Sequence, residues 1–278
     1  MTPNPDELIT TARTALACLD LTSLADGHDQ AGGEAEIEAL CAKAIGPLGA
    51  PPGGSAGAWG ASGRGPTAAV CVWPRLAAFA RARLPAGIAV AAVPNFPDGS
   101  SDTTRAVRDT RAIVDAGAQE VDVVMPYRDL AAAPALLAAV RQACEGLVLK
   151  VILETGEMAD TATIDRACRI ALDAGADFLK TSTGKRPVSA TPEAASRLLA
   201  AIAADPHARG RVGFKPAGGI RSVADAAVYI ALTAQALGAD AVKPQRFRIG
   251  ASGLLTDIEA VLAGTHRPQP GMTPGATY

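Results

Sequence analysis

The chain has 278 residues, 49% of them hydrophobic and 19% charged, enough for one large buried core or two small ones. A formal net charge of −2 gives no overall field that would draw in nucleic acid or an anionic membrane. No uninterrupted apolar run nears the roughly 20 residues that cross a bilayer.

The opening residues, MTPNPDELIT, carry prolines and acids where a secretory signal would carry a basic segment and an apolar core, and they start a short helical segment. After it comes CLDLTSL, the first strand-like run, and then a regular alternation. Apolar runs at 68–73 (AAVCVW), 88–93 (IAVAAV), 120–125 (EVDVVM) and 147–154 (LVLKVILE) read as strands. Three more follow at 177–181 (DFLKT), 211–215 (RVGFK) and 246–250 (RFRIG). Alanine-rich stretches with helical spacing lie between them. Two of these, DTTRAVRDTRAIVDAGA and TIDRACRIALDAGA, end in Asp-Ala-Gly-Ala, where the glycine is a natural stop before the next strand.

Continuous apolar strands belong to a parallel sheet buried on both faces, and eight β–α units predict a single-domain (β/α)8 TIM barrel with a short N-terminal helical segment. A doubly wound sheet is the alternative, but no strand is followed by a G-x-G-x-x-G turn. Residues 49–66, rich in Gly, Ala, Pro and Ser, read as a flexible loop inserted between the first helix and the second strand. Residues 265–278 read as a flexible tail ending in Tyr278.

The side-chain inventory narrows the chemistry. The five cysteines (Cys18, Cys41, Cys71, Cys144, Cys168) are dispersed and never form a Cys-x-x-Cys pair, which predicts reduced thiols in a cytoplasmic protein. The three histidines, His28, His207 and His266, sit among polar or turn-forming residues, so neither a histidine triad nor a metal site is expected. Lysine is scarce, six against twenty arginines, yet Lys150, Lys180, Lys185 and Lys215 all fall in or just after strand-like runs. Arginine keeps its proton near neutral pH and lysine can lose it, so the placement hints at amine chemistry.

In such a barrel, catalysis takes place at the rim formed by the C-terminal ends of the strands. Reading off those ends collects Asp20, Cys71, Asp122, Lys150, Lys180 and Lys215. Each has an ordinary explanation. Asp122 could be a structural acid, Lys150 its ion-pair partner, Cys71 a small core residue, Asp20 a cap, and the Thr181-Ser182-Thr183 run a plain turn. Together, two lysines and an acid make the parts of a Schiff-base site. A free lysine has a pKa of roughly 10.4 and an amine nucleophile works best near ~7–8, a gap worth about 4 kcal/mol. A second ammonium ~4 Å away supplies a similar ~4 kcal/mol at an effective dielectric near ~20, and burial pushes the same way. Glycines then point to an anion. Gly218 and Gly219, with Arg221 beside them, follow the seventh strand, and Gly250, Ser252 and Gly253 follow the eighth. Those two loops are the usual phosphate site of a barrel, and Lys185 after Gly184 could add a charge.

The runs LDLT, AAVCVWP, EVDVVMPYR, LKVILETGE, GADFLKTSTGK, GFKPAGGIR and RIGASGLL, from about Leu19 to the chain end, resemble the successive signatures of deoxyribose-phosphate aldolases. The resemblance implies a class I aldolase that cleaves 2-deoxy-D-ribose 5-phosphate to glyceraldehyde 3-phosphate and acetaldehyde with no metal or organic cofactor. It implies Lys180 as the Schiff-base lysine, Lys215 as the lysine that lowers its pKa, Asp122 as the acid of a proton relay and Lys150 as that acid's partner. Asp20 would contact a substrate hydroxyl, with Cys71 and Thr181 also on the substrate side. Gly184, Lys185, Gly218, Gly219, Arg221, Gly250 and Ser252 would hold phosphate, and Tyr278 would assist protonation of the enamine carbon. Ser252-Gly253 departs from the Ser-Ser many members carry, and the 49–66 loop looks like an insertion. A homodimer is compatible with this reading. The competing ones are another Schiff-base or transaldolase-like enzyme and a silent sugar-phosphate-binding barrel, whose mark would be loss of a central lysine or of the acid.

Overall fold

The structure, a computed structural model, describes residues 4–28, 31–46 and 65–265. The expected loop at 49–66, apart from its last two residues, lies outside the described residues, and so does the tail after Thr265 with Tyr278.

Among the described residues eight parallel strands form the centre: β1 (Leu19–Thr22), β2 (Ala69–Val72), β3 (Ala89–Ala92), β4 (Glu120–Val124), β5 (Val148–Ile152), β6 (Phe178–Lys180), β7 (Gly213–Lys215) and β8 (Ile249–Ala251). They pair in the order β7-β6-β5-β4-β3-β2-β1-β8. Bridges from Phe214 to Phe247 and from Ala217 to Gly250 join the two ends, closing a (β/α)8 barrel. Apart from Thr22, Ala89 and Val148, the strand residues are all buried, because the barrel interior lies on one face and the helices on the other.

The first helix, α1 (Pro5–Ala17), precedes the barrel and lies against the last two helices. The rest follow the strands as α2 (Glu34–Ile45), α3 (Ala77–Arg81), α4 (Thr103–Asp115), α5 (Ala133–Ala143), α6 (Thr161–Asp173), α7 (Pro192–Ala204), α8 (Val223–Leu237) and α9 (Leu254–Leu262). Local sequence sets their ends. Asp102, Asp160 and Thr191 each accept a hydrogen bond from a first-turn amide, and Ser222 with Asp225 forms a capping box. Gly117 and Gly175, both in the left-handed region, end α4 and α6 at the two Asp-Ala-Gly-Ala runs. On α6, Ile164, Ala167, Cys168 and Ala171 fall three or four apart on one buried stripe. Fully burying an aliphatic side chain such as isoleucine contributes about 1.5–3 kcal/mol.

The eighth strand differs from the expectation. Residues 244–246 turn, with the Arg246 and Phe247 amides donating to the Lys243 carbonyl, so the strand begins only at Ile249. Phe247 is left as a single bridge, and Arg248, between bridge and strand, turns into the barrel core.

Two glycines make room for the site. A Cβ on Gly250 would stand 3.2 Å from Lys215 Cε and 2.9 Å from Ala217 Cβ, so this position passes the lysine stem. A Cβ on Gly213 would stand 2.4 Å from the Phe178 ring and 2.7 Å from the Arg246 carbonyl oxygen. Phe178 lies directly across from Gly213 and two residues before Lys180. Gly213→Ala is therefore expected to cost about 1–3 kcal/mol through overpacking, read as a lower melting temperature, and to reduce activity with it. An alanine variant as stable as the parent would show that Phe178 yields freely.

Candidate active site

Strand alternation and register decide which side chains meet. Glu120 and Asp122, two apart on β4, point to the same side. Register then sets Asp122 beside Lys150 of β5 and Lys180 of β6 beside Lys215 of β7.

Their charged ends converge on one carboxylate. Asp122 Oδ2 accepts from Lys180 Nζ at 2.8 Å and from Lys215 Nζ at 2.7 Å, while Oδ1 accepts from Lys150 Nζ at 2.7 Å. Lys215 also donates to Asp20, and Lys150 to Glu120. Arg248 spans the far side, donating to Asp20 Oδ1 and to Glu120 Oε1 at 2.6 Å each. None of these seven residues is more than 7% exposed. Buried ions are tolerated only with close opposite partners, and here each has several except Lys180, whose one carboxylate partner among the described residues is Asp122.

That asymmetry separates the three lysines. Burial lowers the pKa of Lys180 and the Lys215 charge lowers it further, and together they outweigh the opposing pull of Asp122. For Lys150 and Lys215, burial acts in the same direction, but carboxylates overcome it and hold both ammonium groups above the ordinary lysine range. Asp122 is held well below the usual carboxylate range, since three lysines overcome its burial. One amine is thus poised to lose its proton while its neighbours keep theirs. The neighbouring charge invoked from sequence is present, but burial is the larger cause and Asp122 a counterweight.

Above Lys180 opens a cavity of about 300 Å³. Lys180, Gly184, Lys185, Gly218, Gly250 and Ser252 line it, together with Thr22 at the end of β1 and Asp26 of the loop that follows. Gly218 has φ +82°, and a Cβ there would strike Ser189 at 2.6 Å, so the turn needs glycine. Lys185 Nζ donates to Asp26 at 2.7 Å, and that bond with its charge lowers the Asp26 pKa. The two helix N-termini nearest these loops differ. At α8 the amides of Arg221, Ser222 and Val223 are taken by the carboxylates of Asp225 and Asp257. At α9, Gly253 is the N-cap and no side chain caps the first turn, which suits an anion.

The remaining expected residues lie elsewhere. Asp20 is fully buried with both oxygens committed to Lys215 and Arg248, so it anchors the network and does not face the cavity. Cys71, level with Thr22 in the register, is fully buried and does not line the cavity, its thiol 4.0 Å from Asp122 Oδ2 and pushed up in pKa by burial. The Thr181 hydroxyl is used internally, accepting from the Ala217 amide at 3.0 Å. Gly219 and Arg221 are not among the cavity-lining residues. Tyr278 is outside the described residues.

Sequence reasoning missed four groups. Glu120 was signalled by its two-residue spacing from Asp122, and Arg248 by the same spacing from Gly250. Asp26 carried no strand signal. Glu154, buried at φ +59°, accepts from the Thr183 amide at 3.2 Å and fixes the loop after β6.

A family model described as DeoC/LacD family aldolase matches residues 14–257. The curated deoxyribose-phosphate aldolase of Agrobacterium fabrum (strain C58) is 49% identical over 208 residues, covering 72% of this chain and 79% of that protein. Solved structures agree in fold. One from Toxoplasma gondii ME49, assigned as a deoxyribose-phosphate aldolase, has a TM-score of 0.78 at 23% identity and covers 94% of this chain and 97% of its own. The deoxyribose phosphate aldolase of Aeropyrum pernix, described as a tetramer, has a TM-score of 0.67 at 22% identity, covering 93% and 98%.

Proposed function

The chain belongs to the DeoC/LacD aldolase family and is a lyase, and from that premise we propose that it cleaves 2-deoxy-D-ribose 5-phosphate reversibly through an iminium on Lys180. The observation that carries the reading is the convergence of three lysines on Asp122, with one of them lining the cavity.

The neutral Lys180 amine adds to the C1 aldehyde of the open-chain sugar, and loss of water leaves the iminium. A base takes the C3 hydroxyl proton, the C2–C3 bond breaks, and its electron pair flows into the iminium to give an enamine. Glyceraldehyde 3-phosphate leaves. Protonation at C2 and hydrolysis then release acetaldehyde and the free amine. Asp122, reaching the reacting carbons through water and backed by Lys215, moves the protons. Lys150 keeps Asp122 ionised and oriented. The phosphate lies toward Gly184, Lys185, Gly218, Gly250 and Ser252, at the uncapped start of α9. A cytoplasmic setting and association as a homodimer are parts of this proposal, and among the described residues no helix is long and apolar enough to cross a membrane.

Incubation with acetaldehyde and borohydride, followed by peptide mapping, tests it. The expected product is an ethyl group on Lys180. Labelling of Lys150 or Lys215, or of no lysine, overturns the assignment.

A further inference from the structure

We propose that Arg248 is a positioning residue that sets the protonation of the site: as the one cation of the network unable to give up its proton, it leaves Lys180 as the group that must. The inference rests on the reading of Lys180 as the nucleophile and concerns how its amine is kept free.

The contact network holds four basic side chains, Lys150, Lys180, Lys215 and Arg248, against three carboxylates, Asp20, Glu120 and Asp122. With every base protonated, the buried cluster carries one uncompensated positive charge, which a water-poor interior strongly disfavours. Loss of one proton balances it. A guanidinium cannot supply that proton near neutral pH. Lys150 lies within ion-pair distance of all three carboxylates, Lys215 of two and Lys180 of one, so Lys180 yields.

The other groups facing Lys180 do not alter the count. Cys71 of β2 is a buried thiol whose pKa burial raises, so it is neutral. On the cavity side, Lys185 and Asp26 pair with each other, and Glu36 accepts from the Ser23 hydroxyl, with His28 Nδ1 3.4 Å away, in the solvent-open wall. Charges there are screened by water and salt. Glu154 is the remaining buried carboxylate of the rim, and it is bound to Thr183 outside the network. Arg248 is not among the cavity-lining residues and its ion pairs are with Asp20 and Glu120, so it acts on Lys180 through the charge it adds to the network.

The test is the pH dependence of kcat/KM for 2-deoxyribose 5-phosphate cleavage, which reports the groups of the free enzyme. Arg248→Gln leaves three lysines facing three carboxylates, so Lys180 keeps its proton to higher pH. The acid limb should rise by roughly one pH unit, with about tenfold loss below it and recovery above it. Glu120→Gln leaves a surplus of two charges, and the limb should fall. The double variant Arg248→Gln/Glu120→Gln restores a surplus of one and should restore the limb. A purely structural role predicts otherwise: a uniform loss at every pH, or a double variant no better than its worse parent, and either result overturns the proposal. Should Arg248→Gln not fold, Glu120→Gln carries the test alone, and an unmoved limb refutes the charge count. Borohydride trapping with acetaldehyde separates the two readings. An unlabelled Lys180 in the parent enzyme defeats the proposed function itself, whereas a labelled Lys180 with unmoved limbs defeats only the role of Arg248.

Discussion

Lys215→Met is expected to cut kcat/KM near neutral pH by roughly 10²–10³-fold and to make the rate climb about tenfold per pH unit toward pH ~10. Lys215 shares Asp122 Oδ2 with Lys180, so it is the nearest positive charge acting on the amine. Methionine keeps most of the stem volume and removes the charge. Three basic groups then face three carboxylates, Asp122 pairs more fully with Lys180, and the amine's pKa moves back toward the ordinary ~10.4. At about pH 7.5 an amine of that pKa is free in roughly one molecule in a thousand. Burial still favours the neutral form, so the loss falls short of complete and returns as pH rises. The variant is also expected to be less stable, because Asp20 and Asp122 each lose an ion-pair partner in a buried site. Activity measured from neutral to alkaline pH, with borohydride trapping at both ends, decides it. A profile parallel to that of the parent enzyme would mean that Lys215 acts only as a packing and hydrogen-bonding group.

The fold was legible because barrel strands leave a strong mark. Apart from the few charged residues set in them, runs such as EVDVVM and LVLKVILE are apolar on both faces, since both are covered, and the Asp-Ala-Gly-Ala stops punctuate the chain. The eighth strand was misplaced for a local reason. Arg246, Phe247 and Arg248 alternate like a strand, but Pro244 and the hydrogen bonds to Lys243 hold the chain in a turn until Ile249. Pattern carries residue type, not which carbonyl an amide will find.

The central acid and lysines were legible for a different reason, because charged groups inside apolar runs are too costly to be incidental. What the sequence could not show is how that cost is met. Arg248 and Glu120 come from opposite parts of the barrel, and only its closure makes them partners. The resemblance implied that Asp20 contacts a substrate hydroxyl, and the barrel sets two cations against it in a fully buried place. The phosphate loops show the same limit. Glycine pairs marked both turns, but whether helix amides were already used by Asp225 and Asp257 depended on tertiary contacts.

Asp122→Asn is expected to lower turnover by about 10²–10⁴-fold while slowing capture of acetaldehyde on Lys180 by less than tenfold. The two steps need different things from this residue. Iminium formation needs a free amine, and Asp122, the one carboxylate paired with Lys180 among the described residues, favours its proton. Removing that charge should therefore move the acid limb of trapping to lower pH, the opposite direction from Lys215→Met. Proton transfer at C2 needs a group that can take up and return a proton, which an amide cannot do. The amide also presents either a donor to an ammonium or one oxygen to three lysines that used two. Deuterium exchange into the methyl group of acetaldehyde isolates the second step, and borohydride trapping the first. Stability provides an independent sign. The Asp122 carboxyl is held below its ordinary range, so its contribution is present above pH ~3.9 and is lost as pH falls below that value. The asparagine variant should start about 3–5 kcal/mol less stable, with Lys150 and Lys215 left short of a partner, and should lose less on acidification. Equal losses in trapping and exchange would remove Asp122 from the proton path and leave it a scaffold for the lysines.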